Sequence, residues 1–95
     1  RSTNGCALSV SEEAIQEAHQ NLASNAGLFV EPSSAAAWAG ILLAKEKQVI
    51  SSEESVCVIL TGNGLKDTSS ALEWAELPDA IEPNLDHIAD QYQLV

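Results

Sequence analysis

The amino-acid sequence predicts an α/β fold, a small parallel sheet flanked by helices in the order β-α-β-α-β-α-α. Three observations lead there. Val56-Cys57-Val58-Ile59-Leu60 is an unbroken apolar run without alternation, the pattern of a strand covered on both faces. Ile15, Ala18, Leu22 and Ala26 recur at spacings of three and four, which makes one apolar stripe of a helix. Short apolar runs alternate with helix-capping residues along the chain, as parallel βαβ units require.

Taken in order, Cys6 to Val10 reads as a short strand after the turn residues Asn4-Gly5. Ser11 offers an N-cap, and Glu12 and Glu13 stand in the first turn, where the helix dipole favours negative charge. Ser9 with Glu12 is an alternative capping box. Gly27 supplies the left-handed stop. Leu28-Phe29-Val30 is a second strand, ended by Glu31-Pro32 because proline cannot donate to a ladder. Ser33 or Ser34 caps a helix through Lys47, apolar almost all round from Ala35 to Ala44 and therefore expected to be buried on several sides. Ser51 to Glu54 is a polar turn before the third strand, 56–60. Thr61-Gly62-Asn63-Gly64 leaves that strand as a glycine loop, and a polar stretch leads to a short helix around Ala71 to Glu76. Pro78 and Pro83 bracket an extended linker, 77–83, and Asn84 caps a last helix, 84–93, with the stripe Leu85, Ile88, Ala89 and Tyr92. Three parallel strands alone leave faces and edges bare, so residues 1–95 read as a single α/β fragment of a larger domain. Arg1 at the start and the lack of any Met point the same way.

Charge narrows the partners. Four basic against 14 acidic residues leave a net charge of −10, which repels phosphate backbones and anionic lipid; neither nucleic acid nor a membrane surface is an expected partner. The 45% hydrophobic content is globular, yet 14 of the apolar positions are Ala, so the core is thin for this length. The apolar run from Ala35 to Ala44 is half the roughly 20 residues that span a bilayer. Cys6 and Cys57 form no CxxC pair, which fits a reducing compartment, and within apolar strands each thiol reads as a small buried hydrophobe. The expected location is the cytoplasm, with the plastid as the alternative.

Two strand ends carry candidate chemistry. In open α/β sheets ligands sit at the carboxyl ends of strands, where Leu60-Thr61-Gly62-Asn63-Gly64 is placed. Its glycines let backbone N–H groups approach a ligand, and the Thr61 hydroxyl can donate or accept. The loop matches neither a P-loop nor a dinucleotide fingerprint, and by pattern alone a tight turn is the favoured reading. Glu31-Pro32-Ser33-Ser34 offers a carboxylate and two hydroxyls at a helix N-terminus, which orient a ligand or simply cap the helix. His87 with Asp86 and Asp90 reads as a solvated helix face rather than a metal site. His19, among Gln16, Gln20 and Asn21, reads as exposed; Trp38 and Trp74 read as packed. Adjacent Glu12-Glu13 and Glu53-Glu54 point apart and make poor acid–base pairs.

Two segments carry a family resemblance. Gly27-Leu28-Phe29-Val30-Glu31-Pro32-Ser33-Ser34-Ala35-Ala36-Ala37, followed by Leu60-Thr61-Gly62-Asn63-Gly64-Leu65-Lys66-Asp67, resembles the C-terminal portion of the threonine synthase family. The first segment is shared with related threonine dehydratases; the second singles out threonine synthases. Val10 to Ile15 and Ile81 to Leu85 resemble the family's flanking segments, and Thr68 departs from the proline of many members.

The resemblance implies part of the large domain of a tryptophan-synthase-β-like enzyme that uses pyridoxal phosphate. Such an enzyme converts O-phosphohomoserine and water to threonine and phosphate. It further implies that Thr61 contacts the cofactor's pyridine nitrogen, that Gly62 and Asn63 line the ring's edge, and that Glu31 lies nearby. The family's cofactor-linking lysine and phosphate-binding glycine loop lie upstream of the matched segments, and Lys45, Lys47 and Lys66 do not occupy that lysine's position. The chain alone is therefore expected to hold no covalent cofactor and to be inert, with the upstream remainder of the enzyme as its partner and self-association or swapping through its bare surfaces. The alternatives are a small acidic interaction module, or a non-covalent ligand binder using Thr61 and Glu31.

Overall fold

Where local signals are complete, the chain does what they dictate. The computed structural model describes residues 2–93. Helix α1 spans Glu12–Ala26; the Ser11 hydroxyl accepts from the Ala14 N–H at 3.1 Å, and Gly27 closes the helix at φ 67°. Helix α2 spans Pro32–Glu46. A single 3₁₀ turn at Gly64–Lys66 precedes α3, Thr68–Leu72, and α4 spans Leu85–Tyr92 behind an Asn84 cap.

The core lies between α1 and α2. Ala18 and Leu22 of one meet Ala35 and Ala39 of the other, with Val30 closing the end and Val10, Ala14, Ile15, Trp38 and Leu60 packed around them. Of the five buried side chains three are alanine and one is valine, so the helices approach closely but bury little apolar area per residue. Helix α2 is expected to be covered on several sides; Ala35 and Ala39 pack into the core with α1, Ser34 is buried against Gly62 and Ala44 is buried near the C-terminal end, while Leu42 is exposed. A single neighbouring helix can cover only one face.

The expected parallel sheet is absent among the described residues, which hold only one isolated bridge, Val30 to Asn63, and that is antiparallel. Segments 6–10, 28–30 and 56–60 carry no ladder. A strand is held by ladder bonds to neighbours on its edges, and among the described residues these segments form no ladder with one another. Val56 and Ile59 consequently face solvent, whereas Val58 and Leu60 are half-buried. Cys6 and Cys57 are exposed thiols rather than buried hydrophobes, for the same reason.

The shape follows from this. The radius of gyration is 18.1 Å and the long axis 62 Å. A compact domain of this length would have a radius of about 12 Å. Helix α3 begins earlier than expected, at Thr68, because the Asp67 carboxylate accepts from the Ser70 N–H and from the hydroxyls of Ser69 and Ser70. Those bonds, Ser70's foremost, hold the Asp67 carboxyl below the usual carboxylate range. Among the described residues no helix is long and apolar enough to cross a membrane.

Candidate functional site

The junction of two chain segments makes the site. Val30 and Glu31 run into the first turn of α2, and Leu60 to Gly64 lies against them in the opposite direction. The Glu31 N–H donates to the Gly62 carbonyl at 3.1 Å, and the Gly64 N–H donates to the Phe29 carbonyl at 3.0 Å. These two bonds flank the Val30–Asn63 bridge and set the loop's register against α2.

Ser34 is the centre of that junction. Both serines were read as possible caps, but the backbone of Glu31 is the N-cap of α2, with Pro32 at N1 and no side-chain capping bond. Proline's missing N–H is no loss there, because the first-turn amides have no helical partner. That leaves Ser34 free to face inward. Its hydroxyl is buried and accepts from the Gly62 N–H at 2.7 Å. It also lies 3.3 Å from the Gly62 carbonyl, to which it can donate, and 3.4 Å from the Thr61 hydroxyl, where either oxygen can be the donor. A buried hydroxyl is thus satisfied at both ends.

The glycines of the loop are required by contact rather than by dihedral angle. A Cβ on Gly62 would fall on the Glu31 carboxylate, so its absence lets that side chain lie over the loop. A Cβ on Gly64 would meet the Phe29 ring at 2.6 Å. Asn63 turns its side chain inward along the chain and accepts from the Leu65 N–H at 2.9 Å, capping the 3₁₀ turn.

Of the four residues singled out by sequence, Gly62 is buried, Glu31 half-buried, and Thr61 and Asn63 exposed. All four stand at one junction. Gly62, Thr61 and Asn63 border an open hollow of about 600 Å³, floored by Phe29, Val30 and Leu60. Lys45 and Lys47 stand at the far end of α2. At 1.5 Å per residue, that is about 20 Å from its first turn.

Sequence reasoning missed two contributors. His19 is buried at 2% exposure, not solvated, because Phe29 and Trp74 come from distant parts of the chain to cover it. Phe29 was read only as strand apolarity, yet its ring is what the loop rests on. No local signal marks either role. His87, Asp86 and Asp90 are exposed on α4, and no metal-holding cluster of acidic, His or Cys side chains occurs among the described residues.

Comparison with known proteins shows what the chain is similar to. A family model described as "Pyridoxal-phosphate dependent enzyme" matches residues 1–62, a span that includes Glu31, Thr61 and Gly62. The chain is 42% identical over 81 residues to a threonine synthase of Methanocaldococcus jannaschii, covering 85% of this chain and 20% of that protein. It is 38% identical over 90 residues to a threonine synthase of Methanosarcina acetivorans, covering 95% and 22%. A threonine synthase of Halalkalibacterium halodurans is 40% identical over 95 aligned residues, covering 90% and 26%. The chain thus spans about a fifth to a quarter of the curated relatives it matches.

Proposed function

This chain belongs to the pyridoxal-phosphate dependent enzyme family, and from that premise we propose that it is the C-terminal portion of a threonine synthase. In this reading Thr61, Gly62, Asn63 and Glu31 form one wall of the cofactor pocket. The whole enzyme would convert O-phosphohomoserine and water to threonine and phosphate. The names of the relatives support the assignment, as does the run Leu60 to Asp67.

The observation that carries the reading is the Ser34-centred junction. Thr61 is backed by the buried Ser34 hydroxyl and open to solvent in front. A hydroxyl held in that way can donate outward to a neutral aromatic nitrogen, which needs a donor and no counter-charge. The residues present therefore fit a pyridine ring. The chemistry pyridoxal phosphate supplies when bound is an electron sink, and a neutral donor at its nitrogen moderates that sink. Gly62 and Asn63 offer a low edge without bulky side-chain cover, and Glu31 overlies Gly62, placing a carboxylate beside the same wall. The junction at the start of α2 orients these groups; it contributes no amine.

The remainder of the enzyme would bring the cofactor-linking lysine, the phosphate-binding glycine loop, and neighbouring strands for segments 6–10, 28–30 and 56–60. Alone, the chain would be inert. Incubation with pyridoxal phosphate, borohydride reduction and mass spectrometry is expected to find scattered, substoichiometric labelling of lysines and the N-terminus. A single stoichiometric adduct on Lys66 would overturn the claim that the cofactor lysine lies elsewhere.

The bare apolar surface has its own consequence. Ile59, Leu65, Leu77 and Leu85 are each about three-quarters or more exposed, a density of exposed aliphatic side chains that drives association. Light scattering is expected to report a mass that rises with concentration. A clean monomer throughout would argue for a self-contained domain.

A further inference from the structure

His19 is the buried polar side chain that the proposed pocket does not use. It follows Ala18 on α1 and is covered to 2% exposure. Its ring lies nearly parallel to Phe29, with centroids 5.9 Å apart and planes 13° apart. Trp74 meets it edge-on at 5.5 Å and 85°. The indole N–H of Trp74 donates to His19 Nδ1 at 3.2 Å. An indole nitrogen is a donor only, so Nδ1 carries no proton and the ring proton sits on Nε2.

We infer that His19 is a positioning residue for the Thr61–Gly64 loop, acting through Phe29 on one side and Trp74 on the other. The first arm is short. Phe29 rests on His19, its ring fills the space beside Gly64, and its carbonyl takes the Gly64 N–H. The second arm runs the other way around the chain. From Gly64 the 3₁₀ turn leads into α3, which buries no residue of its own, and then to Trp74. The segment that leaves the loop is thus tied back to the body of the molecule by the Trp74 contact with His19. Trp74 meets the imidazole directly, and Gly64 reaches it through the Phe29 ring.

A plain core residue does not account for these contacts. Nε2 is buried and finds no partner. An apolar ring would occupy the same space without leaving a buried donor unmet. What the imidazole adds is the acceptor for Trp74, and that is its function here. Its bearing on the cofactor rests on the role proposed above for the loop; its bearing on loop order does not.

The test is amide hydrogen exchange by NMR on the 95-residue chain without cofactor, comparing three variants with the parent. His19→Phe keeps a flat ring and loses the acceptor; His19→Gln restores an acceptor; Trp74→Phe removes the donor. The amides of Gly62 and Gly64, both hydrogen-bonded across the junction, are expected to exchange about tenfold faster in His19→Phe and Trp74→Phe. Leu22 and Ala39 amides in the helices should keep their rates, and His19→Gln should recover much of the loop's protection. Should His19→Phe disturb the α1–α2 core as well, Trp74→Phe decides, since Trp74 lies outside that core. Loop exchange within about twofold of the parent in Trp74→Phe, or no recovery in His19→Gln where His19→Phe is loosened, overturns the inference. Because no cofactor enters the measurement, failure of the threonine synthase reading leaves this result standing, and the reverse also holds.

Discussion

Gly64→Ala is expected to destabilise the chain by about 1–3 kcal/mol, the usual cost of overpacking a closed contact. The added methyl would sit 2.6 Å from Cγ and Cδ2 of Phe29 and 2.7 Å from Cδ1. Those are atoms near the base of a rigid ring, not the far end of a flexible chain. Phe29 has little room to retreat, because His19 is stacked against it. The loop must then move instead, and the Gly64 N–H to Phe29 carbonyl bond is the first to stretch. Urea unfolding followed by circular dichroism measures the change. Gly40→Ala is the control: a methyl there meets nothing within 4 Å, in the middle of α2, and alanine is the better helix former by about 0.5–1 kcal/mol. Equal stability of the Gly64→Ala variant and the parent would mean that the Phe29 contact does not constrain the loop.

Ser34→Ala should cost about as much by a different route. It removes the acceptor of the Gly62 N–H and the neighbour of the Thr61 hydroxyl together. The Gly62 amide is then buried without a partner, and leaving such a donor unmet costs about 1–3 kcal/mol. Ser33, one position earlier, is exposed, so Ser33→Ala should change stability by less than about 0.5 kcal/mol. Unfolding midpoints separate the two, and the Gly62 amide should lose its exchange protection only in the Ser34 variant. If both serine variants behave alike, the loop owes nothing to Ser34.

These two expectations show how far local information reaches. The α1 boundaries were legible because every determinant is within four residues: a serine whose hydroxyl reaches the amide three positions on, acidic residues in the first turn, and a glycine at positive φ. The start of α4 was legible for the same reason, from Asn84. At α2 the local rule misled, since Ser33 and Ser34 each offered a cap and neither is one. Pro32 took the first helical position, and Ser34 was drawn to Gly62, which lies 28 positions away. The short helix after the loop began at Thr68 because Asp67 gathers three hydrogen bonds from Ser69 and Ser70, a cap that a search for apolar periodicity passes over.

What the sequence determined by itself is the set of elements whose hydrogen bonds close within one turn, together with the motif residues Glu31, Thr61, Gly62 and Asn63 that stand at one junction. Tertiary structure decided the rest. Strand character in 6–10, 28–30 and 56–60 depends on neighbours along an edge, which these residues do not supply to one another, so the apolar runs remain without a sheet. The burial of His19 depends on Phe29 and on Trp74, 55 positions away, and no pattern within its own helix carries that information. Helices are written in nearby residues because their bonds are local; sheets, and the packing that orders a loop, are made by contacts that only folding brings together.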